Sequence, residues 1–195
     1  MKAIILLGTL KKDGLSNTET LCDFFSAQLH KKGVKSEVIR LVSHTIMPGT
    51  YSTSMGKEDQ WPTILNKMIK AQIIIFATPI WWGGQSSEIQ RVIERLDGLH
   101  DEILLGKKSK LDGKVGGIII TGDSDGAEHI IGNLSNFFNA VGIILPPYST
   151  LSVLSEKQKK GSNVDRCELM QEYHENYKKN ADKMINQILK YIPCL

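Results

Sequence analysis

The sequence predicts a doubly wound α/β protein, a three-layer α/β/α sandwich around a five-stranded parallel sheet of order 2-1-3-4-5. Three observations predict it. Short, continuous aliphatic runs alternate with amphipathic stretches, the pattern of a parallel sheet covered by helices on both faces. Two of the runs, Ala3 to Leu7 and Ile73 to Ala77, are apolar throughout, so their strands belong at the centre of the sheet. The run between them, Ser36 to Leu41, is mixed and belongs nearer an edge, which places the first and third strands side by side. No linker, repeat or low-complexity tract interrupts the 195 residues, so residues 1–195 read as one domain.

After the first strand, Asn17 to Lys32 reads as a helix with Leu21, Phe24, Phe25 and Leu29 on one face, and Gly33 ends it. Val42 to Lys57 is rich in Ser, Thr, Gly and Pro and reads as a loop. Asp59 to Lys70 is the second helix, entered through Trp61-Pro62. Ser87 to Leu96 is the third, with Ile89, Val92, Ile93 and Leu96 at helical spacing. Gly113 to Thr121 contains the fourth strand, and Ala127 to Val141 forms the fourth helix. Ile143 to Leu145 is expected to begin the fifth strand, and Val164 to Leu189 to form one long closing helix.

Composition excludes several classes. Lysine and arginine number 24 against 21 acidic residues, a net charge of +3. The basic residues are dispersed, in pairs such as Lys31-Lys32 and Lys159-Lys160, which argues against a nucleic-acid partner. No apolar run approaches the roughly 20 residues of a membrane span. Cys22, Cys167 and Cys194 are odd in number and far apart, so no dithiol or zinc motif exists. A reducing, cytoplasmic setting is expected.

In such a sheet, ligands bind beyond the carboxyl ends of the strands, where the order reverses. Three turns there are unusual. Gly8-Thr9-Leu10-Lys11-Lys12-Asp13-Gly14-Leu15-Ser16-Asn17-Thr18 leads hydroxyl-bearing residues into a helix start, where free amides and the helix dipole favour an anion; taken alone, it reads first as a helix cap. Thr78-Pro79-Ile80-Trp81-Trp82-Gly83-Gly84 follows the third strand. Two adjacent tryptophans cannot both enter one packed layer. They suit a flat amphipathic ligand, which Gly83 and Gly84 would let the backbone approach. Thr121-Gly122-Asp123-Ser124-Asp125-Gly126 follows the fourth strand and can bond a ring's polar edge, or can be an ordinary turn with Asp125 as cap. The conjunction of three such turns on one rim carries the expectation.

At these residues the chain resembles the NADPH-dependent FMN reductase family of the flavodoxin-like superfamily. Gly8 with Ser16-Asn17-Thr18, the T-P-I-W-W-G turn from Thr78 to Gly83, and Thr121-Gly122 carry the resemblance. It implies a flavodoxin-like fold, non-covalent FMN, electrons from NADPH or NADH, and a flavin, quinone or other small aromatic acceptor. It also implies that Thr9, Ser16, Asn17 and Thr18 hold the phosphate. Pro79, Ile80, Trp81, Trp82 and Gly83 would line the isoalloxazine, and Thr121, Gly122, Asp123 and Gly126 its pyrimidine side. The flavin would carry the hydride chemistry, with no catalytic acid or base from the protein. Relatives with an iron–sulfur centre carry a compact cysteine cluster between the second strand and second helix; Val42 to Lys57 has no cysteine.

The rival readings are a flavodoxin-type electron carrier, disfavoured by the slightly basic charge, and a non-catalytic binding domain on the same scaffold. No G-x-G-x-x-G is present, so the nicotinamide would visit the open flavin face. A homodimer or higher homo-oligomer is expected, a second copy completing the pocket beside Trp81 and Trp82. No histidine is spaced as a metal ligand with another; His129, one turn into the fourth helix, is the one nearest the rim. Tyr148 to Asn163 is expected to follow the fifth strand and to shape the pocket or a subunit contact.

Overall fold

A computed structural model describes residues 1–159 and 161–192, so Lys160 and Cys194 lie outside the described residues. Five strands, β1 (Lys2–Leu7), β2 (Lys35–Arg40), β3 (Ile73–Pro79), β4 (Val115–Gly122) and β5 (Thr150–Leu154), form one sheet of order β2-β1-β3-β4-β5. Every pairing is parallel. The helices are α1 (Asn17–Lys31), α2 (Trp61–Lys70), α3 (Ser87–Leu104), α4 (Ala127–Val141), α5 (Arg166–Glu172) and α6 (Lys178–Lys190). The fold is flavodoxin-like.

The two faces of the central strands feed two separate cores, as strand alternation requires. Ile4 and Leu6 of β1 join Ile74 and Phe76 of β3 beneath α2, α3 and α4. Ala3, Ile5 and Leu7 join Ile73, Ile75 and Ala77 beneath α1 and α6. All ten are wholly buried. The order puts β1 and β3 next to each other, so their carboxyl ends open the crevice in which the site sits.

Four elements differ from the sequence expectation. Ile143 to Leu145 does not begin β5; Ile144 only bridges to Val115. Pro146 and Pro147 follow and carry no backbone N–H for a ladder. The fifth strand is Thr150–Leu154, whose alternating burial marks a sheet edge. Tyr148 to Asn163 therefore contains β5 instead of following it. The helix expected over Val164 to Leu189 is two helices joined by a π-helical turn, Tyr173–Tyr177. Finally, α2 starts at Trp61 and α3 continues to Leu104, past the last apolar residue of the expected stretch.

Residues 44–60 pack on α3 and are ordered by a buried charge. Arg95 of α3 is fully buried. Its guanidinium donates to the carbonyl oxygens of Tyr51 (2.9 Å), Met47 (2.7 Å) and Thr53 (2.6 Å), and to Asp59 at 2.8 Å. The Asp59 carboxylate is as buried as its partner, and it accepts the amides of Met47, Met55 and Trp61. The Trp61 ring lies 5.7 Å from the guanidinium carbon. Burial pushes the Asp59 carboxyl up, but donation from Met55, Arg95, Trp61 and Met47 outweighs it and leaves the pKa below the ordinary value. A carboxylate of lowered pKa stabilises the fold above its unfolded value and loses that contribution as pH falls through the folded one. Urea unfolding of the protein is therefore expected to show stability dropping steadily below about pH 4; a flat profile there would rule this contribution out.

Candidate functional site

The first turn is built as a helix cap. Ser16, only 4% exposed, accepts the amide of Glu19 and donates its hydroxyl to Thr9 Oγ1 at 2.9 Å. Thr9 in turn accepts the amide of Lys11. Both readings of this loop therefore hold at once: Ser16 caps α1, and the cap arranges buried hydroxyls at the helix start. Among the described residues, the amides of Asn17 and Thr18 meet no acceptor, as expected for the first positions of a helix. Thr18 reaches across the crevice to Thr121, their hydroxyls 2.6 Å apart, and this contact fastens the β1 turn to the β4 turn.

The turn after β3 is a tight hairpin. Trp81 and Gly84 exchange both backbone hydrogen bonds at 2.9 Å. The central residues, Trp82 (φ 50°) and Gly83 (φ 75°), both lie in the left-handed region, the geometry of a type I′ turn. This backbone splits the tryptophans: Trp81 is half-buried, while Trp82 is fully exposed at 103%. Thr78 anchors the turn from below by accepting the amide of Ser86 and donating to Pro79 O. The Ile80 amide donates to Thr121 O, joining the second turn to the third.

One cavity of about 300 Å³ unites the three turns. Of the residues expected from sequence, Thr9, Ser16, Asn17, Thr18, Pro79, Ile80, Trp81, Thr121, Gly122 and Asp123 line it. Trp82, Gly83 and Gly126 do not. Trp82 is carried outward at the hairpin tip. Gly83 and Gly126 face each other: a Cβ on Gly126 would stand 2.7 Å from Gly83 Cα. The missing side chain of Gly126 lets the two loops touch, whereas a Cβ on Gly83 would meet nothing within 4 Å. Gly126, not Asp125, occupies the cap position of α4, with φ 126°. His129 is exposed and outside the lining.

The cavity has further walls, and of these Gln158, Lys159, Gly161 and Ser162 fall within Tyr148 to Asn163, the segment expected to shape the pocket or a subunit contact. Leu10, Lys11 and Leu15 stand in the loop already singled out, where only hydroxyl and amide carriers had been selected. Gln158, Lys159, Gly161, Ser162 and Val164 follow β5. The signal for these was position alone, since the segment after a fifth strand must return past the crevice to reach the closing helices. Gln158 Nε2 donates to the buried Tyr173 hydroxyl at 3.3 Å, and that hydroxyl donates to Asn17 O at 3.4 Å. The return segment is thus tied to the start of α1.

Free helix-start amides, buried hydroxyls and an aromatic wall in one crevice fit a flat ring bearing a phosphate tail. A model of the NADPH-dependent FMN reductase family matches residues 1–158. The chain belongs to this family, whose members are flavin-dependent oxidoreductases.

Among this family member's curated relatives is the divalent metal cation transporter MntH of Mycobacterium bovis, 31% identical over 160 residues, 80% of this chain and 23% of that protein. Another is the 8-demethyl-8-aminoriboflavin-5'-phosphate synthase of Streptomyces davaonensis, 32% identical over 157 residues, 75% of this chain and 61% of that protein. The chain thus spans less than two thirds of either relative. Among the described residues no helix is long and apolar enough to cross a membrane, and no group of three or more metal-ligating side chains is present. Among solved structures the chain is similar to RosB with bound 8-demethyl-8-formylriboflavin-5'-phosphate, at TM-score 0.81 and 25% identity, covering 98% of this chain and 79% of that one.

Proposed function

We propose that this chain binds FMN non-covalently in the cavity and passes electrons from NADPH or NADH to a small aromatic acceptor such as a flavin or quinone. The observation that carries the reading is the single cavity that joins the Thr9–Thr18 cradle, Trp81 and the Thr121–Asp123 turn. Asn17 and Thr18 would give the phosphate two free amides, and Thr9, Ser16 and Thr18 their hydroxyls. Trp81 and Ile80 would hold the ring, and Gly122 and Asp123 its polar edge. Bound FMN supplies the hydride chemistry; the protein supplies position and electrostatics. The nicotinamide would reach the ring from the side of Trp81. A second copy is the partner we propose for Trp82, which none of the described residues of its own chain covers. We take residues 1–195 as one domain working in the cytoplasm.

The test is the visible spectrum of the purified protein, or of the protein after FMN is added, before and after anaerobic NADPH and NADH. Twin flavin bands that bleach with a nicotinamide are the expected result. Bands that persist with both nucleotides but bleach with dithionite would replace this reading with the electron carrier. Failure to take up FMN at all would overturn the cofactor claim.

The likeness to RosB favours a second reading, in which a riboflavin phosphate is the substrate. Mass spectrometry of the flavin recovered after turnover separates the two. An unchanged mass supports the cofactor role, and a changed ring mass the substrate role.

A further inference from the structure

Gln158 closes the short 3₁₀ turn Glu156–Gln158 that follows β5. It lines the cavity, yet only 8% of it is exposed. Two sets of contacts hold it between the two ends of the crevice. On one side, the Ser155 amide at the start of its turn donates to Gly122 O at 3.0 Å, at the turn assigned to the ring's polar edge. On the other, Gln158 Nε2 donates to the Tyr173 hydroxyl at 3.3 Å, and that hydroxyl donates to Asn17 O, in the anion cradle, at 3.4 Å.

The Tyr173 hydroxyl decides which way the Gln158 amide points. It has one proton, which goes to Asn17 O, so toward Gln158 it can only accept. Burial, then the charge of Glu172, holds this hydroxyl well above the ordinary tyrosine value, so the proton stays in place. Gln158 therefore presents Nε2 to Tyr173 and its oxygen elsewhere. That oxygen, Oε1, is buried and meets no donor among the described residues. A buried acceptor without a donor is costly, and in the wall of a ligand cavity the ligand is the partner that can relieve it.

Oε1 needs a donor, and that requirement selects among the parts of a flavin phosphate. Ionised phosphate oxygens only accept, and the ring N–H belongs at the polar edge beside Gly122 and Asp123. Between the two lies the ribityl chain, whose hydroxyls donate. We propose that Gln158 binds the ribityl chain, its Oε1 accepting a hydroxyl, and that Tyr173 is the positioning residue that keeps the amide in this orientation. The inference rests on the FMN reading above and deepens it: the site selects a polyol chain as well as a ring and a phosphate.

The test is fluorescence titration of flavin-stripped protein with FMN and with an FMN analogue whose ribityl hydroxyls are replaced by hydrogen. Wild type is expected to bind FMN the more tightly. Gln158→Leu should weaken FMN about fivefold and leave the analogue unchanged, the size of one neutral hydrogen bond. Tyr173→Phe keeps the buried ring and removes only the hydroxyl. It should weaken FMN about threefold, again with the analogue unchanged, and it carries the test if Gln158→Leu does not fold. Equal losses for both ligands, no loss of FMN binding, or a wild type that does not distinguish the two would overturn the proposal while leaving the FMN reading intact. A wild type that binds neither ligand would overturn both.

Discussion

Arg95→Met is expected to cost about 3–5 kcal/mol of stability, the largest single-residue effect in this chain, because it strands the buried Asp59 carboxylate without its cation. Methionine fills much of the same space, so the loss measures charge and hydrogen bonding more than a cavity. The carbonyls of Met47, Tyr51 and Thr53 lose their donor at the same time, and each buried acceptor left unpaired adds to the cost. Urea unfolding gives the total. Limited proteolysis gives the location: cleavage should appear first within residues 44–60, while the sheet stays intact. The double variant Arg95→Met with Asp59→Leu should recover a large part of the loss, since it removes both charges and not one. A single variant within about 1 kcal/mol of wild type would show that the loop is held by packing instead.

Gly126→Ala is the second large effect, and it acts on the site more than on the sheet. The new methyl group meets the backbone of Gly83, at 2.7 Å from Cα and 3.0 Å from the carbonyl oxygen. No side-chain rotation relieves a clash between two backbones. The φ of 126° adds strain for any residue with a Cβ. Together these cost about 2–4 kcal/mol, or else push the β3 and β4 turns apart. Either way the wall formed by Trp81 and Asp123 is misplaced, and FMN affinity is expected to fall by more than tenfold. Gly132→Ala is the control: an added Cβ there meets nothing within 4 Å, and α4 should tolerate or welcome it. Flavin titration with thermal melts distinguishes the outcomes. Unchanged affinity in Gly126→Ala would mean that the two loops do not need contact to build the site.

The sheet order was legible because burial on both faces leaves Ala3 to Leu7 and Ile73 to Ala77 without a polar position, while Ser36 to Leu41 is mixed. The rim turns were legible for a related reason: hydroxyls, glycines and tryptophans gathered at strand ends have no role in a core. Ile143 to Leu145 misled because an apolar triplet resembles a strand, whereas the alternation in Thr150 to Leu154 is weaker but is the true edge-strand signature. Arg95 was not legible at all. Long charged side chains are exposed by default, and its carbonyl partners come from a loop whose path no periodicity reveals. The wall from Gln158 to Val164 is polar and aperiodic, so only its position pointed to it. Trp82 and Gly83 were expected beside the ring together with their neighbours; the positive φ at both places them at the hairpin tip, outside the cavity lining.

The π-helical turn at Tyr173–Tyr177 also explains why the closing segment reads as one helix. Buried positions Leu169, Tyr173, Ala181 and Ile185 are spaced in multiples of four. At about 100° per residue, an uninterrupted α-helix would rotate Ile185 roughly 160° from Leu169, nearly onto the opposite side. One residue of excess winding in the π turn takes back about 100° of that, returning both to one stripe. The alignment of α5 and α6 over α1 is therefore stored in chain length and not in side-chain identity. Substitutions along this stretch perturb one contact each; a one-residue deletion would put every later buried position out of phase at once.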